Sequence, residues 1–175
     1  MRNKVLAVAA ALLLPFAVAS AQKNVPHNVL SIQPLNAVYT AYSAEYERRT
    51  GSAWTLGVGG THWNVGDEGN EVTYQSADVK VRYYPSGHAL MGFSLGGMAG
   101  YTSIAGKSST GFDEKASAPT FGILLEYQWL MGASKNFGLA IGAGAKSVMI
   151  DEDKITSSSF IKAYPTSRVS IGYAF

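Results

Sequence analysis

Eight charged side chains are spaced as if to share one surface. Glu45 and Glu47 stand two residues apart, as do Asp78, Lys80 and Arg82, and Glu126, Lys146 and Arg168 follow singly. A two-residue period puts side chains on one face of a β-strand. Carboxylates and bases on facing strands can relay protons or ions, or they can neutralise one another as buried pairs. The set holds four acids and four bases. That balance favours a mutually neutralised network, with Lys80 and Arg82 central and Glu126 a partner from across the structure.

The other reactive residues point to no chemistry. His27, His62 and His88 lack metal-ligand spacing, and neither HxH nor HExxH occurs. Gly142–Ser147 reads GAGAKS, but Ala145 stands where a phosphate loop needs its second Gly, and the segment continues a strand. Ser86 lies two residues before His88, in a PSGH sequence that reads as a turn. There is no cysteine, so disulfides and Cys-ligated metals are excluded. No catalytic, cofactor-binding or metal-binding residue is expected, and no cofactor.

The chain has 175 residues, with 14 Lys and Arg against 12 Asp and Glu. Residues 1–21 read as a secretory signal peptide: Arg2 and Lys4, then an apolar run over 5–19, then a small-x-small site ending at Ala21. The run is short of the about 20 apolar residues a membrane helix needs. Without Arg2 and Lys4 the bases fall to 12 and the balance is neutral. Nothing then points to nucleic acid.

Residues 22–175 read as one domain. Helical periodicity is hard to find, whereas period-two alternation recurs between turn-forming breaks. Counted back from the C-terminus the breaks alternate long and short: DEDKITSSS, MGASKN, AGKSSTGFDEKASA, YPSGHA, then NVGDEGN (intermediate) and RRTGSA. Short turns at one end and longer loops at the other are the pattern of membrane barrels. The strands are expected near 25–33, 36–48, 53–64, 71–84, 89–103, 117–131, 136–150 and 160–175. A tight turn over 34–36 would separate the first two; alternatively 25–48 is a single bent strand.

The faces are unequal. Phe121, Ile123, Leu125, Tyr127 and Trp129 share one side of a strand, and Gly122, Leu124, Glu126 and Gln128 the other. Val79, Val81 and Tyr83 likewise oppose Asp78, Lys80 and Arg82. A soluble barrel turns its large apolar face inward, and a membrane barrel inverts this. Small residues around the charges leave room for them inside. Aromatics at strand ends (Tyr83, Tyr84, Tyr101, Trp129, Tyr173, Phe175) suit an interfacial girdle. The fold class expected is all-β: an eight-stranded antiparallel up-and-down transmembrane β-barrel, its lumen closed by the eight charges.

The tail RVSIGYAF sets Val169, Ile171, Tyr173 and Phe175 at alternate positions. It resembles the C-terminal assembly signal of outer-membrane barrel proteins. With Tyr46-Glu47-Arg48, Arg82-Tyr83-Tyr84-Pro85 and Gly172-Tyr173-Ala174-Phe175, residues 25–175 resemble the small barrels of the OmpA/OmpX-like superfamily. The resemblance implies residence in a Gram-negative-type outer membrane. It also implies contact with outer-membrane lipid and lipopolysaccharide, and recognition of the tail by the barrel-assembly machinery. It is nearly silent on activity. The lipid A deacylase family carries a His-x-Ser pair on one strand, but here His62 and His88 are followed by Trp-Asn and Ala-Leu. The expected role is structural or surface-interacting, with an extracellular ligand possible in principle. The alternatives are a narrow, porin-like transport channel or a lipid-directed enzyme.

Phe175→Ser is expected to impair membrane insertion far more than any other property. Heat-modifiable gel mobility of the membrane fraction checks this, and an unchanged yield of folded barrel would refute the role given to the tail.

Overall fold

The computed structural model describes residues 26–67, 70–108, 113–149 and 162–175. The signal peptide expected over 1–21 and the DEDKITSSS loop lie outside them.

Eight strands follow one another: β1 (Asn28–Ile32), β2 (Ala41–Arg49), β3 (Trp54–Asp67), β4 (Asn70–Tyr83), β5 (Gly92–Ser108), β6 (Asp113–Met131), β7 (Phe137–Val148) and β8 (Lys162–Ala174). Each pairs antiparallel with its neighbour, and β8 pairs back onto β1, closing the sheet. Stepping across the ladders from Val29 through Glu47, Gly57, Lys80, Met98, Gly122, Lys146 and Tyr164 returns to β1 displaced by about ten residues. That stagger tilts the strands by about 40° to the barrel axis.

The period-two pattern sorts the side chains. On β6, Phe121, Ile123, Leu125, Tyr127 and Trp129 are exposed, while Leu124, Glu126 and Gln128 are buried. On β4, Val79, Val81 and Tyr83 are exposed and Arg82 is wholly buried. Large apolar groups lie outside and polar ones inside, as in a transmembrane barrel. Tilted aromatic pairs Trp54–Tyr83 and Tyr127–Trp129 and the stacked Tyr173–Phe175 mark one end of the outer surface. That end also carries the short turns and both ends of the described barrel.

Three local features differ from the sequence expectation. Residues 25–48 form two strands rather than one bent strand, and their connection is a 3-10 turn over Pro34–Tyr39 rather than a three-residue turn. Proline presets the turn, and Thr40, at φ 59°, reverses the chain into β2. The presumed long loop at 105–118 is mostly strand, because the β5–β6 ladder runs on to Lys107↔Asp113. Backbone hydrogen bonds extend that hairpin where side-chain alternation has faded. Finally, Tyr84 is not part of the outer girdle: it is fully buried inside the barrel. It lies two residues beyond Arg82 and keeps the same facing.

At the other end β3 to β6 outrun their neighbours. The β2–β3 ladder stops at Ala41↔Trp63 and the β6–β7 ladder at Thr120↔Val148. The four longer strands therefore stand above the barrel as a wall.

Leu125→Arg, on the outer face, is expected to cost about 2–4 kcal/mol near the bilayer midplane, read by urea unfolding in lipid. A label at position 125 should be quenched by lipid-phase quenchers and one at position 124 should not.

Candidate functional site: the charged lumen

Inside the barrel the ladders place a glycine beside every charge. Glu45 faces Gly59, Glu47 and Lys80 face Gly57, and Asp78 faces Gly59 and Gly100. Arg82 faces Gly96, Glu126 and Arg168 face Gly142, and Lys146 faces Gly122. The space is used. A Cβ on Gly57 would lie 3.2 Å from Arg82 Nη1, and one on Gly96 would lie 3.2 Å from Arg82 Cγ. A Cβ on Gly142 would lie 3.2 Å from Glu126 Cβ. Long side chains thus cross a narrow barrel because their cross-strand neighbours have none.

Six of the eight charges meet in one cluster. Glu45 accepts from Arg82 Nη2 at 2.7 Å, from Arg168 Nη1 at 2.5 Å and from Lys80 Nζ. Arg82 also lies 3.4 Å from Glu47 and 3.5 Å from Glu126 Oε1, and Arg168 Nε lies 3.1 Å from Glu126 Oε2. Three carboxylates face three cations, so the cluster is neutral. Asp78 and Lys146 form a separate pair, 2.8 Å apart, further toward the wall end. Arg82 binds Glu45 more closely than Glu126, the partner expected from sequence. Glu126 is held by charge alone, since neither of its oxygens receives a hydrogen bond.

Burial makes these pairs interdependent. The side chain of Arg82 is 0% exposed and those of Glu45 and Glu126 are 2% and 1%. Isolated charges so placed would cost several kcal/mol each, and paired ones recover most of it.

Sequence parity also carries residues not singled out at first. Tyr84 follows Arg82 by two, and Gln128 follows Glu126 by two. The Tyr84 hydroxyl lies 3.0 Å from both Glu47 Oε1 and Gln128 Oε1. Its one proton serves one acceptor, and the carboxylate is the stronger. Thr55 Oγ1 donates to Glu47 at 2.5 Å, and Arg168 Nη2 donates to Ser31 Oγ at 3.2 Å. Beneath them Val29, Leu90 and Ala174 form a small apolar floor, with Leu130 against it. Leu90 reaches it with φ 72°, a strained conformation for a residue with a Cβ. Between floor and cluster remains a polar-lined cavity of about 10 Å³, room for about one water.

The remaining candidates are scattered. His62 is exposed on the outer face with Nδ1 3.4 Å from Gln75 Nε2. His88 Nδ1 contacts the Ser86 carbonyl, not its hydroxyl, at 2.8 Å. The backbone N–H of His27 donates to the Phe175 carbonyl. Gly142–Ser147 lies within β7. Among the described residues no His, Asp and Glu gather into a metal-ligand group. Val169, Ile171, Tyr173 and Phe175 share the outer face of β8, with the Phe175 carbonyl accepting from His27 and Asn28.

A closed, tilted, apolar-coated sheet around a neutral charged core defines a small transmembrane β-barrel. Two solved structures of one outer-membrane protein share this fold. The crystal structure of Ail, the attachment invasion locus protein of Yersinia pestis, is 15% identical with a TM-score of 0.52, covering 86% of this chain and 99% of that one. The backbone structure of the same outer membrane protein in a phospholipid nanodisc is 14% identical with a TM-score of 0.50, covering 86% and 100%. The N-terminal β-barrel domain of Pseudomonas aeruginosa OprF is 12% identical with a TM-score of 0.49, covering 86% and 98%. No family model and no curated protein matches the sequence.

Removing Arg82 as Arg82→Met should destabilise by about 3–5 kcal/mol, because it strands buried carboxylates. Double-mutant cycles in urea should give a larger coupling for Arg82 with Glu45 than with Glu126. Equal couplings would contradict the geometry.

Proposed function

We propose that this protein is an outer-membrane barrel with a sealed lumen, serving a structural or surface-contact role rather than transport or catalysis. The buried six-charge cluster across the barrel is the observation that carries this reading. An ion entering from the wall end meets Asp78 and Lys146 first. It would then have to separate Arg82 and Arg168 from Glu45, Glu47 and Glu126. Below lie Tyr84, Gln128 and the Leu90 floor. An eight-stranded barrel is just wide enough for side chains to fill.

The projecting wall supports surface contact. On its concave side Val65, Val72 and Ile104 are about half exposed, an apolar surface above the barrel rim. The alternating aromatic tail and the apolar outer coat support outer-membrane residence, with lipid and lipopolysaccharide as neighbours and the barrel-assembly machinery acting on β8.

Planar-bilayer recording tests the seal. The unmodified protein should show no stable conductance, and Glu45→Ala combined with Arg82→Ala should raise the current. Stable nanosiemens-scale steps from the unmodified protein would replace this reading with a pore.

A further inference from the structure

The outer surface carries a groove that the sealed-barrel reading does not use. It lies open on the strands β3 to β6, runs from the Trp54–Tyr83 pair toward Ile123, and has a volume of about 510 Å³. Leu95 and Leu125, paired directly across β5 and β6, border it together on the turn side, and Val81 and Ile123 flank Gly97. Its floor is Gly97, which stands between Val81 and Ile123 in the ladders. A Cβ added there would meet nothing within 4 Å. Every lining side chain is apolar or aromatic, and the groove parallels the barrel wall, so its shape suits an extended hydrocarbon chain.

The charges around its mouth are of one sign. The turn segments 49–53, 84–91 and 132–136 contain no Asp or Glu, and the outward positions of the turn-end half contain none either. The same end holds Arg48, Arg49 and Lys135, with His27 and His88. Arg48 is exposed and sits directly across the ladder from Leu56, which shares the outward face with Trp54 two residues away. Arg49 is tied to its turn through Nε to the Gly51 carbonyl at 3.1 Å. By contrast, the opposite, wall end carries acids and bases together: Asp67, Glu71, Asp113 and Glu114 belong to strand ends there, and so do Lys107 and Lys162. Among the described residues, acidic side chains outside the lumen are therefore confined to the wall end. The aromatic rim at the turn end, which carries no acidic side chain, would lie in a plane of lipid headgroups.

We propose that this rim and groove bind an anionic phospholipid of the leaflet that meets the turn end. One acyl chain lies in the groove over Gly97, its ester region beside Trp54 and Tyr83, and its phosphate at Arg48. The proposal rests on the membrane reading above. Each basic side chain near a headgroup plane favours anionic lipid by about five-fold.

Native mass spectrometry of the full chain released from nanodiscs tests it, using equimolar phosphatidylglycerol and phosphatidylcholine. The unmodified barrel should retain phosphatidylglycerol in preference to phosphatidylcholine. Arg48→Gln should lower that preference by about five-fold while leaving some lipid bound. Gly97→Phe, which fills the floor, should abolish retention of both lipids; heat-modifiable mobility verifies that this variant is folded. Equal retention of the two lipids by the unmodified protein would overturn the proposal. So would an unchanged preference in Arg48→Gln, or undiminished retention in folded Gly97→Phe. A protein that folds in water and never enters the nanodisc would refute the membrane reading itself, and the lipid site with it.

Discussion

Closure of the sheet is the constraint from which the other features of this molecule follow. A strand edge facing hydrocarbon leaves amide and carbonyl groups with no partner, at several kcal/mol each. Here the sheet closes where β1 meets β8, over the short ladder from Val29↔Ala174 to Ile32↔Ile171. The joint is reinforced at its end, where the Phe175 carbonyl accepts from both His27 and Asn28. Gly172 lets the strands come close, since a Cβ there would lie 2.7 Å from the Leu30 carbonyl oxygen. The apolar tail is therefore part of the closure as well as of the outer coat.

Closure sets the size of the interior, and the interior explains the composition. With eight strands and a stagger of about ten residues the lumen is narrow enough for side chains to fill. Charges can occupy it if the strand alongside contributes nothing there. This is why glycines recur opposite Glu45, Arg82, Glu126 and Arg168. The resulting network is neutral but unevenly satisfied: Glu45 takes three cationic donors, whereas Glu126 relies on charge without hydrogen bonds. Buried ion networks of this kind are often no more stabilising than an apolar filling of the same volume.

The two ends of the barrel then serve different surroundings. At the turn end the structure is tight: Ala53 and Ser52 carbonyls accept from Tyr84 and Ala89, joining two turns, and Leu90 folds beneath the lumen. At the other end β3 to β6 continue past the closed sheet and expose Val65, Val72 and Ile104. The turn end is thus bound together by short backbone contacts, and the other end is an extension of four strands.

Strand parity was legible in the sequence because a two-residue period has only two faces, and side-chain size told them apart. It put Leu125 outside, Leu124 inside and all eight charges on the lumen face without any coordinates. The same parity could have assigned Tyr84 to the lumen, but its place beside Tyr83 at a strand end suggested a girdle. Glycine spacing was visible too, though its pairing with particular charges was not, since that depends on register between strands distant in sequence. Register is also what brought Glu45, rather than Glu126, closest to Arg82, and what set Asp78 and Lys146 apart as a pair. The length of the β5–β6 hairpin was hidden because backbone hydrogen bonds, not side-chain alternation, sustain it beyond Ser103 and Ser117. Local patterning determined which way each side chain points. Only closure of the tilted sheet, which brings Arg168 to Glu45 across 123 residues of chain, decided which of them meet.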